Sequence, residues 1–171
     1  MRKVQSFIAV VAVVGGVLVG AAGSMAAATA TPSCKPTQMV VSRGSTNGAA
    51  GTIYHIIVFT NSAGTCAIWG TPAIQPVVGP SHRSVGPTAG NASMGQMAAR
   101  HVLTKGMSVS VDYGVVETGN FSPASCRAKI ADGVVVSLLP FVKSTYVKMS
   151  ISVCTQRVST KSRLLSPGRF G

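Results

Sequence analysis

Apolar and polar residues alternate with a period of two along several short segments of this chain. Val109, Val111 and Tyr113 alternate with polar neighbours, and residues 148–153 show the same pattern. Successive side chains of a β-strand point to opposite faces of its sheet, so this alternation is typical of strands with one buried face. No window has the 3.6-residue period of an amphipathic helix. The sequence therefore predicts an all-β protein.

Two segments, residues 53–59 and 134–139, are almost continuously apolar, which is typical of central strands that are covered on both faces or lie at the core of a sandwich. Shorter segments bring the count to about eight or nine strands. They include residues 38–42, 66–69, 73–78, 97–103 and 126–130. Clusters of Gly, Pro, Ser and Asn separate the strands, and Asp132-Gly133 is predicted to form a two-residue hairpin turn. Many short strands without room for crossover helices predict a two-sheet antiparallel, immunoglobulin-like β-sandwich.

The first 30 residues have the three parts of a secretory signal. A basic pair at residues 2–3 precedes an uncharged apolar core at residues 7–19 and an Ala-x-Ala cleavage site at residues 28–30. We therefore expect a cleaved signal peptide at residues 1–30, no transmembrane segment after cleavage, and a secreted or cell-envelope protein. The alternative is an uncleaved anchor, although the Gly- and Ala-rich second half of this segment inserts poorly into a bilayer.

Removal of the signal leaves enough chain for one ordinary domain. We predict a single β-sandwich domain over residues 31–154. The segment 155–171 is polar and basic and ends in a Gly- and Pro-containing sequence, so it is predicted to be a flexible C-terminal tail. Its basic residues Arg157, Lys161 and Arg163 are candidates for contacting an anionic surface.

All four cysteines follow the predicted cleavage site, at positions 34, 66, 126 and 154. An even number of widely spaced cysteines in an exported chain predicts two disulfides, and the absence of a Cys-x-x-Cys pair argues against a zinc or redox motif. Four cysteines allow three pairings, and we favour the one that closes two loops of modest length. It joins Cys34 to Cys66 and Cys126 to Cys154. Cys154 is out of phase with the apolar positions of its strand, so we expect it at a bulge or just beyond the strand end.

The chain has a net charge of +12, of which the signal contributes two positive charges. Such a surface attracts polyanions, and outside the cytoplasm these are phosphate-bearing wall polymers or anionic lipid headgroups. Nucleic acid is not the expected partner, because the basic residues are not interleaved with exposed aromatic side chains. The alternative is that the positive charge only maintains solubility. We expect a monomer.

Few side chains are suited to catalysis. Three carboxylates follow the signal: Asp112, Glu117 and Asp132. Hydrolytic enzymes normally use a positioned pair of such groups. Three histidines lie on separate segments without metal-ligand spacing: His55, His82 and His101. Residues 90–95 resemble a serine-nucleophile elbow only loosely, and no glycine-rich loop with a lysine is present to hold a phosphate. We therefore predict no catalytic residue, no metal site and no cofactor.

Trp69 is the aromatic residue that we single out for binding. If Cys66 and Ile68 face the core, alternation sends Trp69 to the opposite face of the strand, where an indole could stack on a sugar or on an apolar patch of a partner. The alternative is that Trp69 packs beneath residues 86–93 or against the first strand.

The order of several short motifs resembles that of a known family. These motifs are Ser-Cys at 33–34, Asn-Gly-Ala-Ala-Gly-Thr-Ile-Tyr at 47–54, Phe-Thr-Asn at 59–61 and Thr-Cys-x-Ile-x-Gly-x-Pro at 65–72. Together they are similar to domain of unknown function 4232, a family of secreted actinobacterial proteins. The resemblance implies export, a β-sandwich, a Cys34–Cys66 disulfide and a location in or on a mycobacterial-type cell envelope, and it supplies no catalytic residues. Trp69 and Thr71 depart from the family pattern.

Two classes of function are open. The first is a secreted or cell-envelope, non-enzymatic binding module that contacts an anionic wall polymer, a lipid surface or a protein partner. The second is a small secreted hydrolase, in which a loop serine and either His55 or His101 meet in space. An inhibitor that presents disulfide-stapled loops is a weaker third idea.

Overall fold

The computed structural model describes residues 30–167, which form twelve β-strands and one short α-helix. The strands are β1 (Met39–Ala49), β2 (Thr52–Asn61), β3 (Cys66–Ile68), β4 (Ala73–Val78), β5 (Arg83–Ser84), β6 (Gly90–Asn91), β7 (His101–Leu103), β8 (Ser108–Val116), β9 (Ala128–Leu138), β10 (Val142–Cys154), β11 (Thr160–Ser162) and β12 (Ser166–Pro167). Helix α1 (Pro123–Cys126) lies between β8 and β9. The all-β prediction is confirmed. The predicted signal peptide lies outside the described residues except for residue 30.

The strands form two main sheets and a small ribbon. The larger sheet has the order β1-β2-β8-β11-β6, and β12 also pairs with β8. The smaller sheet has the order β10-β9-β4-β5, and β3 pairs with β7. Every pairing between these strands is antiparallel except β11 with β6. As predicted from their continuous apolar sequence, β2 and β9 are central strands.

One face of each main sheet contributes to a shared hydrophobic core. Ile57 and Val111 of the larger sheet belong to the same buried cluster as Val134 and Ile151 of the smaller sheet. Each of these four side chains is at most 5% exposed. Burial of apolar area stabilises a fold by roughly 25 cal/mol per Å², so this cluster holds the two sheets together. The opposite face of the larger sheet is only partly covered: Ile56 and Ser110 are buried there, whereas Tyr54 and Asp112 are half-buried.

Both predicted disulfides are present. Cys34–Cys66 has an S–S distance of 2.06 Å and ties the segment before β1 to β3. Cys126–Cys154 has an S–S distance of 2.01 Å and ties the end of α1 to the end of β10. Cys154 is the last residue of its strand, which explains why it is buried although it is out of phase with the alternation.

The predicted hairpin at Asp132-Gly133 was wrong, because β9 runs straight through these two residues. A Cβ atom at position 133 would lie 2.4 Å from Cε2 of Tyr146 and 2.6 Å from the carbonyl oxygen of Val147. Glycine at this position therefore makes room for a neighbouring ring instead of forming a turn. Asp-Gly is a strong local turn signal, but tertiary packing overrides it here.

The predicted flexible tail was also wrong for the part that the structure describes. Strands β11 and β12 return antiparallel along β8, where Thr160 pairs with Val115 and Ser166 pairs with Ser110. The exposed fraction is 2% for Thr160 and 5% for Leu165. Serine and threonine occupy the buried positions of this segment. Its composition is therefore as polar as that of a flexible tail, although it is part of the sheet. Residues 168–171 lie outside the described part of the chain.

Within residues 30–167, no helix has the length and apolar character needed to cross a bilayer.

Candidate binding groove on the larger sheet

The partly covered face of the larger sheet carries a row of four residues that lie side by side. Asn47 of β1 pairs with Tyr54 of β2, Tyr54 pairs with Gly114 of β8, and Gly114 pairs with Lys161 of β11. Tyr54, Gly114 and Lys161 line a common cavity of about 280 Å³. The strand register thus brings an amide, an aromatic ring and an ammonium group onto one surface.

Gly114 determines how the Tyr54 ring lies on this surface. A Cβ atom at position 114 would be 3.1 Å from Cε1 and 3.4 Å from Cδ1 of Tyr54. The edge of the ring therefore lies directly over the glycine backbone. An aromatic residue that covers a cross-strand glycine fills the space that a side chain would otherwise take. Tyr54 is half-buried in this position.

Arg163 and Asp112 form an ion pair beside the Tyr54 ring. Nη1 of Arg163 is 3.7 Å from Oδ2 of Asp112, and the guanidinium carbon lies 5.7 Å from the centre of the ring. The side chains of Arg163 and Asp112 are 54% and 38% exposed. A surface pair of this kind stabilises a fold by less than about 1 kcal/mol. The Arg163 guanidinium can therefore leave the carboxylate for an incoming anion at little cost.

Three cavities meet at Asp112 and Arg163. The first is the 280 Å³ cavity described above. The second, of about 410 Å³, extends over β1 towards Ser45 and Asn47. The third, of about 270 Å³, extends along Ser93 and residues 164–166. We call the surface that these cavities form the Tyr54 groove. It is open to solvent and continues on both sides of the ion pair.

The segment that carries Lys161 and Arg163 is fixed by hydrogen bonds on both sides. Ser162 Oγ donates to the carbonyl oxygen of Pro72 at 2.9 Å. The Ser162 carbonyl accepts from the backbone N–H of Ala92, and the N–H of Leu164 donates to Ser93 Oγ at 3.0 Å. These bonds hold residues 161–163 against the sheet. The two basic side chains therefore project from a fixed backbone, which reduces the entropy lost when they bind a ligand.

The structure places the predicted binding residues in three different locations. Lys161 and Arg163 lie in the Tyr54 groove. Arg157 lies elsewhere, with its guanidinium carbon 4.4 Å from the centre of the Phe121 ring. Trp69 lies in neither location and contributes to the edge of the core.

The prediction that Trp69 projects from an open strand face was wrong. The indole is half-buried. The centre of the Phe141 ring lies 4.4 Å from the centre of the indole in an edge-on arrangement, and the guanidinium carbon of Arg100 lies 4.6 Å from the indole centre. Ala67, which shares the predicted outward direction, is 0% exposed. Alternation fails here because the short strand β3 is covered on both faces. Phe141 and Arg100 therefore occupy the space around Trp69 in which a sugar would stack.

The three histidines do not form a catalytic arrangement. His55 shares a hydrogen bond of 3.3 Å with Thr46 Oγ1. Nε2 of His101 donates to the Leu165 carbonyl at 3.1 Å. The His82 ring stacks on the Tyr146 ring, with 4.2 Å between the two ring centres. Within residues 30–167, no histidine hydrogen-bonds a serine hydroxyl or a carboxylate. The same part of the chain contains no cluster of three His, Cys, Asp or Glu residues that could hold a metal ion.

His55 lines a separate cavity of about 390 Å³, together with Glu117 and Ser152. Burial lowers the pKa of His55 below its ordinary value of 6.5, and the nearby positive charge of Arg43 lowers it further. The neutral imidazole is therefore the favoured form in the folded protein. It shares its one side-chain hydrogen bond with the Thr46 hydroxyl.

Sequence reasoning missed two residues of the groove. The alternation around Val111 places Asp112 on the polar face of its strand, but a solitary carboxylate gave no sign of a site. Tyr54 lies in an almost continuously apolar segment, so its outward direction was hidden. The position of Tyr54 over Gly114 depends on the pairing of β2 with β8, which no local pattern contains.

The fold and the groove define the protein as an all-β, disulfide-linked domain with an open, basic surface on its larger sheet. Residues 34–164 match the family model described as Domain of unknown function (DUF4232). The chain belongs to this family, as its motifs predicted. No curated protein and no solved structure matches it.

Proposed function

We propose that this protein is an exported, non-enzymatic binding module that attaches to an anionic polymer of the cell envelope through the Tyr54 groove. The observation that carries the proposal is the position of Lys161 and Arg163. These two cations project from a fixed backbone beside an aromatic ring, in a groove open to solvent. An extended polymer can lie in a groove that continues on both sides of its central ion pair.

Charge supports an anionic ligand. The chain carries 15 basic and 3 acidic residues, so its field attracts polyanions and accelerates their association. A uniformly basic surface binds such ligands without selectivity. The groove adds shape to this attraction, because its cavities reach the size of small ligand pockets, which begin at about 300 Å³.

Export is supported by the two disulfides, which form and persist in oxidising compartments. It is also supported by the signal pattern in residues 1–30. We propose that the two sheets form an immunoglobulin-like sandwich and that the protein belongs to the secreted, actinobacterial members of its family. In this arrangement the smaller sheet supports the larger one, whose outer face carries the groove.

The binding function is preferred to the hydrolase alternative because of the contacts that the histidines make. A general base must lie within hydrogen-bond reach of the group that it deprotonates, about 2.6–3.2 Å. His101 donates to a backbone carbonyl and His55 pairs with a threonine. Among residues 30–167 the histidine contacts give no support to hydrolysis, whereas the groove supports binding.

The test is retention of the oxidised protein on isolated cell-envelope material at low and high salt. A Lys161→Ala/Arg163→Ala variant removes two cations from the groove. A Lys143→Ala/Lys148→Ala variant removes two exposed cations from β10 of the other sheet and serves as the control. We expect the groove variant to lose at least about tenfold in affinity and the control to lose less than about threefold, with both affinities falling as salt rises. An equal loss in the two variants would contradict a specific groove.

A further inference from the structure

Asp112 is an unexpected residue in a groove that binds an anion. It is one of only three acidic residues in the chain, and it lines the same cavity as Lys161 and Arg163, with its Oδ2 3.7 Å from Nη1 of Arg163. A carboxylate in this position repels a ligand that presents only negative charge. A ligand that also presents hydroxyl groups gains from it, because hydrogen bonds to a charged acceptor are stronger than those between neutral groups.

Tyr54 supplies a second kind of contact. One part of its ring rests over Gly114, and the ring lines the cavities on both sides. The face of an aromatic ring is electron-rich, and the C–H bonds on one face of a sugar ring carry partial positive charge. A pyranose can therefore lie against Tyr54 once the Arg163 guanidinium, which lies 5.7 Å from the ring centre, moves to the anionic group of the ligand. A chain of phosphates has no such apolar face.

Small polar side chains flank the ring and complete the set of contacts. Ser45 and Asn47 line the cavity over β1, and Thr52 lines the cavity over β8. A hydroxyl donates and accepts, and an amide has two donors and an acceptor. These groups can match the hydroxyls around a sugar ring.

We infer that the Tyr54 groove binds an acidic polysaccharide, in which one sugar unit lies against Tyr54 and donates a hydroxyl hydrogen bond to Asp112. The carboxylate of the polymer pairs with Lys161 and Arg163. This inference rests on the proposed function and specifies its ligand. Because the groove continues on both sides of Asp112 and Arg163, it binds a unit within the polymer and does not require a chain end.

A bare polyphosphate and a lipid surface fit the same groove less well. Polyphosphate has no hydroxyl donors for Asp112 along its chain and no apolar face for Tyr54. A lipid headgroup layer is broad and flat, whereas the groove is a set of cavities of about 270 to 410 Å³. The combination of a ring, a carboxylate and two cations favours a ligand that is both a sugar and an acid.

The test compares three soluble polymers against the oxidised full-length protein by titration calorimetry at fixed salt. Polygalacturonate is the acidic polysaccharide, inorganic polyphosphate is the polyanion without sugar, and dextran is the neutral polysaccharide. We expect polygalacturonate to bind at least about tenfold more tightly than either of the others.

Two substitutions separate sugar recognition from charge. Asp112→Asn keeps the shape of the side chain and removes its charge. It is expected to weaken polygalacturonate binding about tenfold and to leave polyphosphate binding unchanged or stronger. Tyr54→Ala is expected to weaken polygalacturonate binding about fivefold and to leave polyphosphate binding within about twofold. Tyr146→Ala removes an aromatic ring from the other sheet and is expected to change neither.

Each other result has a defined meaning. If polyphosphate binds as tightly as polygalacturonate and Asp112→Asn strengthens both, the sugar inference is wrong and the proposed anionic-polymer function stands. If neither polymer binds in a way that depends on Lys161 and Arg163, both the inference and the proposed function are wrong. Dextran binding equal to that of polygalacturonate would overturn the acidic part of the inference.

Discussion

Gly114 of β8 lies directly beneath the ring edge of Tyr54 of β2, its partner across the sheet. A related arrangement occurs on the outer face of the smaller sheet, where the Tyr146 ring crowds Gly133. In both places an aromatic side chain occupies the volume that a Cβ atom would need. The two glycines differ in how much room they leave, and this difference can be measured.

The three variants Gly64→Ala, Gly114→Ala and Gly133→Ala should form a graded series. A methyl group at position 64 would meet no atom within 4 Å. At position 114 it would approach the Tyr54 ring to 3.1 Å. At position 133 it would clash with the Tyr146 ring and would lie 2.6 Å from the carbonyl oxygen of Val147. We expect the free energy of unfolding to change by less than about 0.5 kcal/mol at position 64 and to fall by about 1–3 kcal/mol at position 133. Urea unfolding measures the order, and a Gly133→Ala variant as stable as the wild type would contradict this packing.

A second prediction concerns the hydroxyl group of Tyr113. It is the one buried side-chain oxygen among the described residues that has no hydrogen-bond partner. Burial raises the pKa of the Tyr113 phenol. The nearby Thr160 hydroxyl offsets part of that rise.

Removing an unpaired buried hydroxyl removes its desolvation cost, so Tyr113→Phe should raise the free energy of unfolding by up to about 1 kcal/mol. Tyr146→Phe is the matched control, because the Tyr146 hydroxyl donates to the Asp132 carbonyl at 3.0 Å. That variant should lose about 0.5–1 kcal/mol. Chemical denaturation of both variants gives the comparison, and a destabilised Tyr113→Phe protein would show that its hydroxyl is satisfied.

The C-terminal strands should be part of the cooperative fold. Leu165 is 5% exposed and belongs to the core cluster, whereas Leu139 is 76% exposed. Leu165→Ala is expected to lower the free energy of unfolding by about 2–4 kcal/mol, and Leu139→Ala by less than about 0.5 kcal/mol. Thermal unfolding of the two variants checks the difference. If the Leu165→Ala and Leu139→Ala variants are equally stable, the C-terminal segment is a flexible tail and not part of the cooperative fold.

His55 should make the stability depend on pH below neutrality. Its pKa is lowered in the folded protein from the ordinary value of 6.5, first by burial and then by Arg43. Well above pH 6.5 His55 is neutral in both states and adds no pH dependence. As the pH falls below 6.5 the unfolded chain takes up the proton first, so stability decreases until the folded-state pKa is reached.

The measurement for this prediction is the free energy of unfolding of the wild type and of His55→Gln between pH 7.5 and 5. The wild type should lose more stability than the variant over this interval. Parallel curves would show that His55 titrates alike in the folded and unfolded protein.

Patterns of neighbouring residues predicted those features of the fold that depend on residues close together in the sequence. Alternation identified the buried residues Val109, Val111 and Tyr113 of β8 but not the burial of Ser110, and continuous apolar sequence identified the central strands β2 and β9. Cysteine spacing gave both disulfides. The errors arose where tertiary contacts outweigh local sequence. Tyr146 makes Gly133 part of a strand, and β8 recruits the hydroxyl-rich segment 160–162 into the sheet.

The candidate site shows the same limit. Lys161 and Arg163 could be selected from the sequence because they are basic and close together. Tyr54 and Asp112 lie more than 45 residues before these cations, and only the pairing of β2, β8 and β11 brings the four side chains together. Trp69 was selected because alternation with Cys66 and Ile68 sends it to the opposite face of its strand, but Phe141 and Arg100 contact its ring.

Amide chemical-shift mapping shows which surface of the protein the ligand contacts, and so tests whether the Tyr54 groove is the binding surface. The ¹⁵N-labelled protein is titrated with polygalacturonate fragments at fixed salt. We expect the largest shifts at Tyr54, Asp112, Gly114 and residues 161–163, with little change around Trp69 or Tyr146. Shifts confined to the smaller sheet, or spread evenly over all basic residues, would contradict this assignment.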